Sequence, residues 1–273
     1  DGAGDAQVQR GLMDEAEAVL PDVIAQGRSA RWQAWITYHT YYKAPDLIGP
    51  AVARALGIPY LLIDGRFENT TQALRILGQA LGVPERANAL AQDVEATFAR
   101  LDTLLAKVPE NQRPRVHLAR GPKGLETAMK GSINTEIIER AGGRNVADDG
   151  GATRGLVNAS IEQVIVANPN TIVTWDRNFF ASVFDDPLWQ GISAVQEGRV
   201  YLSPTAPFGW IDRPPSLNRV MGLRWMAGLM YPTLWQGDLR ADTRAFYKLF
   251  YHVDLSDEDL KRLLEWAKGR PPM

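Results

Sequence analysis

A chain of 273 residues that is 45% hydrophobic can bury one large core or two modest ones. Thirty basic residues against 32 acidic ones leave no basic excess for nucleic acid and no acidic or basic tail. The absence of cysteine excludes disulfides, thiolate metal sites and a cysteine nucleophile. In chain order, Val8, Leu12, Ala16 and Leu20 predict a helix over 5–26. Residues 34–37 read as a short strand, 38–42 as an aromatic loop, 44–56 as a second helix and 60–63 as a second strand. Asn69, with Gln72 three residues on, reads as the N-cap of a helix that stops at Gly82. Pro84 opens the next helix, whose apolar positions Leu90, Val94, Phe98, Leu101 and Leu105 carry it to about Val108. Its roughly 24 residues make a rod of about 36 Å, long enough to bridge two lobes.

A second alternation follows the polar stretch 109–114. Residues 115–119, 171–175 and 199–202 read as strands. Ser132 reads as the cap of a helix ended by Gly142 and Gly143, and Ser160 with Gln163 as a capping box. Helices are expected from Ser216 to about Met230, near 240–252 and over 257–268. Strands separated by helices predict α/β architecture with mainly parallel sheets: two Rossmann-like lobes joined by a long interlobe helix, the first lobe short. The expected organisation is a lobe over 1–72, a helical linker over 73–112 and a C-terminal lobe over 113–273. No apolar run reaches the roughly 18 residues of a membrane span, so no membrane insertion is expected. The residues from Asp1 onward do not read as a signal peptide.

In open α/β sheets ligands bind beyond the carboxyl ends of the strands. There, Arg120, Arg177 and Arg213 share three loops with Trp175, Phe179, Phe180, Phe208 and Trp210. Rings supply area and stacking, and guanidinium groups supply bidentate contacts to carboxylate or catecholate oxygens. The set suits a large, partly apolar, anionic ligand, with Tyr38 and Tyr41 facing it from the first lobe. The competing reading is that the rings anchor their loops on the lobe's own core. No Gly-x-Ser-x-Gly elbow, phosphate loop or His-Glu-x-x-His occurs, so no catalytic residues are assigned. His117 reads as a core residue, His252 as a helix end, and His39 as an aromatic-loop residue. No metal site and no cofactor are expected, and any iron would be held by its own chelator.

The run from about Leu61 to Leu264 resembles the iron-siderophore and cobalamin class of periplasmic binding proteins. The resemblance rests on Leu74-Arg-Ile-Leu-Gly78 with Pro84-Glu-Arg86, on 115–121, and above all on Gly131 to Val146. Residues 160–164 with 168–173, Gly198-Arg-Val-Tyr201 and Arg213-Pro-Pro-Ser216 complete it. It implies a monomeric, non-enzymatic substrate-binding component of an ABC importer. Such a protein holds a ferric siderophore, haem or corrinoid between two lobes and hands it to a permease dimer. It implies a periplasmic location, or lipid anchoring in a Gram-positive. It also implies docking through one carboxylate per lobe, here Asp212 and Asp46, Asp212 standing where the family often has Glu. Residues 35–59 look instead like a segment of a bacterial glycosyltransferase. The alternatives are therefore a recombined or engineered chimera without ligand binding, and a glycosyltransferase-related enzyme.

Overall fold

The computed structural model describes residues 35–39, 60–149, 155–265, 267 and 269. The chain divides into two units, Asp1–Gly65 and Arg66–Met273. The expected helices over 5–26 and 44–56 lie outside the described residues. In the first unit, β1 (Trp35–His39) and β2 (Tyr60–Asp64) pair in parallel, Trp35 opposite Tyr60 and His39 opposite Asp64. Parallel neighbours need a crossover of a dozen residues or more, and residues 40–59 supply that length. Tyr38 and His39, expected in a loop, extend the strand, as suits a run of aromatic and β-branched residues.

The second unit begins with a helical hairpin, α1 (Phe67–Ala80) and α2 (Pro84–Leu105). Residues 73–112, expected as a linker, therefore lie within this unit. Pro84 stands at the first turn of α2, where its missing N–H costs nothing. Ala87, Ala91, Val94, Thr97, Leu101 and Leu104 are buried at three- and four-residue intervals, one apolar stripe along a rod of about 33 Å. The start of α1 differs from the sequence expectation. Arg66, not Asn69, is the N-cap, because Phe67 is buried and draws the helix three residues further back.

Four parallel strands form the sheet of this unit in the order β5-β3-β7-β8. They are β3 (Arg115–Ala119), β5 (Arg144–Asn145), β7 (Thr171–Thr174) and β8 (Val200–Leu202). A separate antiparallel pair, β4 (Glu126–Ala128) with β6 (Leu156–Asn158), has no counterpart in the sequence reading. Alternation along the strands divides the core into two. Val116, Leu118 and Val173 pack on one face with α1, α2, α3 (Glu136–Arg140), α7 (Asn218–Met230), α8 (Leu239–Tyr251) and α9 (Asp257–Leu264). Ala119 and Ile172 pack on the other with α4 (Ile161–Ala167), α5 (Arg177–Ser182) and α6 (Ser193–Gln196). Ser160 and Gln163 close the capping box of α4 as their spacing predicts. Ser132 does not cap α3. Its carbonyl accepts from the Glu136 N–H at 2.9 Å, and Thr135 is the N-cap of a helix of only five residues.

Buried charge ties the helices together. The Arg219 side chain is 1% exposed, donates to Glu136 and lies 4.0 Å over the Phe67 ring. Glu136 also accepts from the Phe67 backbone N–H at 2.8 Å, joining the starts of α1, α3 and α7. Arg224 joins α7 to α2 through Asp93 and Thr97. No described helix is long and apolar enough to cross a membrane.

Candidate functional site: the carboxyl edge of the four-stranded sheet

The three strand-end loops converge as open-sheet topology requires. After β3, Gly121 and Gly124 both take left-handed backbone, φ +70° and +68°, and turn the chain back so that the Arg120 N–H donates to the Glu126 carbonyl at 2.8 Å. Glycine is required at 124 on a second count, since a Cβ there would stand 2.2 Å from the Phe179 ring. After β7, Asp176 caps α5 by accepting from the N–H groups of Asn178 and Phe179. This sets Trp175 at the sheet edge with Arg177 exposed beside it. The long loop after β8 is held to the body: Tyr247 Oη donates to the Ala206 carbonyl, and Asn218 Nδ2 to that of Phe208 at 2.7 Å.

Arg120 is the hinge of the site. Its side chain is 11% exposed, with Nη1 2.7 Å from Glu126 Oε1 and Nε 3.0 Å from Asp212 Oδ2. Its guanidinium lies 5.7 Å from the Trp175 ring centroid, and that of Arg213 lies 4.2 Å from the same ring. Among the described residues Arg177 and Arg213 form no ion pair within 4.0 Å, whereas Arg120 has two carboxylates. Beside Trp175 and Arg177 lies a hollow of about 440 Å³ that also takes in Ser203, Ala206, Tyr247 and Arg262.

Asp212 is 2% exposed, and burial pushes its carboxyl up to about 6, with the Arg120 charge and the neighbouring Trp175 indole N–H opposing. The approach of Arg120 is an ion pair by distance but lacks the direction of a hydrogen bond. Asp212 Oδ1 and Oδ2 and Trp175 Nε1 are buried without a well-directed partner among the described residues. Desolvation therefore outweighs the pairing. This places Asp212 differently from the expectation for it. A carboxylate sealed against Arg120 presents no surface to a permease arginine.

Three expected ligand rings are also corrected. Phe179 is 1% exposed and packs edge-on to Trp189 at 4.8 Å. Phe180, at 7%, packs on Phe184, and Trp210, at 0%, packs on Trp225. Gly222 lets the α7 backbone approach the Trp210 carbonyl, where a Cβ would stand 1.8 Å away. These rings anchor loops and have no face left for a ligand. Arg120, Trp175, Arg177 and Arg213 remain together, with Phe208 exposed nearby on the third loop. Tyr38 lies in β1 of the first unit, and Tyr41 and Asp46 lie outside the described residues. Glu126, Ser203 and Tyr247 escaped the sequence reading. The spacing of Gly121 and Gly124 was the one signal for the reversal that returns Glu126 to Arg120. His117 is buried, bonded to the Gly124 carbonyl at 2.9 Å and depressed by burial to about 4, a neutral core residue.

The profile of the periplasmic binding protein family matches residues 49–207, more than half of the chain. This chain belongs to that family. An ABC transporter solute-binding protein from Sulfurospirillum deleyianum superposes with a TM-score of 0.79 at 34% identity, over 89% of this chain and 75% of that one. The vitamin B12-binding protein of Salmonella typhimurium is 32% identical over 120 residues, 44% of this chain and 43% of that protein. The ABC transporter substrate-binding lipoprotein YvrC of Bacillus subtilis is 23% identical over 148 residues, 53% and 46% of the two chains. The matches to these last two span somewhat less than half of each relative. The homologues are transport solute-binding proteins rather than enzymes. The family match begins at residue 49, inside the 35–59 stretch expected to be glycosyltransferase-like, so the binding-protein likeness starts upstream of Leu61.

Proposed function

We propose that this family member is the periplasmic or lipid-anchored capture component of an ABC importer, taking an anionic metal chelate of the ferric-siderophore type and delivering it to a permease dimer as a monomer. The observation that carries the reading is Arg213 lying over Trp175 with no carboxylate partner among the described residues, beside a similarly unpaired Arg177. Arg120 stands behind them, fixed by Glu126 and Asp212. Cations held against an aromatic face favour a planar or catechol-rimmed anion, because Arg120 and Arg213 are already in place before binding. The hollow of about 440 Å³ beside Trp175 offers room for part of such a ligand. Docking on this unit uses a carboxylate other than Asp212, and Asp46 is the proposed docking group of the first unit.

A thermal-shift screen of ferric catecholates, ferric hydroxamates, haem and cobalamin tests this. A chelate at a hundredfold over its Kd stabilises by about 2.7 kcal/mol. The anionic ferric catecholates are expected to give the largest rise. A rise with cobalamin alone would reassign the ligand class, and no rise with any of them would support the recombined, non-binding chimera.

A further inference from the structure

At the opposite, amino-terminal edge of the same sheet lies a second hollow, of about 460 Å³. Five-residue β3 separates it from the Arg120 loop by about 13 Å of strand. Arg115 and Arg144 open β3 and β5 and are direct partners in register. Like charges opposite one another in a ladder are destabilising unless something neutralises them. Arg113, two residues ahead of β3, joins them on the wall of the hollow. Among the described residues none of these three arginines forms an ion pair within 4.0 Å, and Arg113 Nε is buried without a hydrogen-bond partner. Lys130 stands on the same wall but is engaged by Asp148 at 3.3 Å.

Glu139, on α3, lines the hollow with these cations, and its Oε1 is buried without a hydrogen-bond partner among the described residues. Burial holds its carboxyl above the ordinary range, with Lys130 opposing and Asp148 and Glu136 adding to the rise. The hollow, whose wall also carries Glu110 and Asp148, thus offers three arginines that form no ion pair among the described residues together with one orphaned carboxyl oxygen. A bare anion satisfies the first and clashes with the second. An oxyanion that carries its own hydroxyl satisfies both.

We propose that this hollow is a second ligand site, which binds a small protonated oxyanion of the hydrogenphosphate type through Arg113, Arg115 and Arg144, with the oxyanion hydroxyl donating to Glu139 Oε1. Guanidinium forks match tetrahedral oxyanions bidentately. Sulfate has the same shape and keeps no proton near neutrality, so Glu139 discriminates against it. A phosphate monoester near neutrality is a dianion without a phosphate hydroxyl, so it ranks with sulfate. The site is independent of the chelate site at the other edge of the sheet.

Calorimetric titration of the full chain at pH 7.5 and low salt, with inorganic phosphate, glycerol 3-phosphate and sulfate, tests the proposal. Hydrogenphosphate is expected to bind about tenfold or more tighter than sulfate, and glycerol 3-phosphate, whose dianion has no phosphate hydroxyl at this pH, is expected to bind like sulfate. Glu139→Gln supplies an amide N–H to either anion and should bring sulfate level with phosphate. Arg115→Gln and Arg144→Gln, both at exposed positions, should each weaken phosphate about tenfold with the melting midpoint intact. Equal affinity for phosphate and sulfate in the wild type, no binding of inorganic phosphate, or unchanged binding in both arginine variants would overturn it.

Discussion

Replacing the buried Asp212 with asparagine is expected to stabilise the second unit at pH 8, and the gain should vanish toward pH 4. Burial raises this carboxyl from 3.8 to about 6, with Arg120 offsetting part of the shift. A raised acid favours its neutral form in the folded state. Its contribution is therefore fully present below the unfolded pKa and lost as pH rises through about 6. About two units of difference at 1.36 kcal/mol each make the charged form cost about 3 kcal/mol at pH 8. The opposing effect is the loss of a partner for Arg120, which in a fully buried pair costs several kcal/mol. That loss is small here, because Arg120 keeps Glu126 at 2.7 Å. In a unit of this size about 3 kcal/mol corresponds to a rise of about 6–12 °C in midpoint. Urea unfolding of both proteins between pH 4 and 8 measures it. Glu95, Asp257 and Asp259, held low by hydrogen bonds from Arg75, Arg244 and Ser256, titrate in the opposite sense but cancel in the difference. An Asp212→Asn protein less stable than wild type at pH 8, or a difference that does not change with pH, would refute the reasoning.

Glu136→Ala should destabilise by about 3 kcal/mol, read by urea unfolding, because it removes the carboxylate that accepts from both the buried Arg219 and the Phe67 N–H. Gly124→Ala should cost about 2 kcal/mol or more, since it combines a left-handed backbone with a Cβ 2.2 Å from the Phe179 ring. The same substitution should weaken chelate binding, measured calorimetrically, by shifting Arg120. Ser160→Ala removes the capping box of α4 and should cost about 1 kcal/mol, with chelate affinity unchanged.

The elements that the sequence made legible are those whose signals are local. Pro84, the three- and four-residue stripe of α2, and the pairing of Ser160 with Gln163 act within a turn or two, and tertiary packing agrees with them. The strand at 115–119 was legible because a short, mostly apolar run begins where the polar stretch 109–114 ends, and the structure buries four of its five residues. Signals failed where distant packing decided. Phe67 is buried and moves the start of α1 ahead of Asn69, and β4 and β6 are three residues each, too short for periodicity to register. The site divided in the same way. Strand-end position collected Arg120, Trp175, Arg177 and Arg213, which the fold brings close together. Composition cannot separate a ring that faces a ligand from one that plugs its own lobe, and Phe179, Phe180 and Trp210 proved to be plugs. Asp212 reads on the chain as an acid before a turn, and only the fold shows Arg120 closing over it.

The central claim is that an anionic chelate is bound against Trp175 between unpaired arginines. Fluorescence titration of wild type, Trp175→Phe and Arg213→Gln with the best ferric chelate from the screen tests it most directly. The account predicts saturable quenching in the wild type. Trp175→Phe should lose much of the quench amplitude, and Arg213→Gln should weaken affinity about tenfold or more. Quenching with the same amplitude and affinity in all three proteins would contradict it and place the ligand elsewhere.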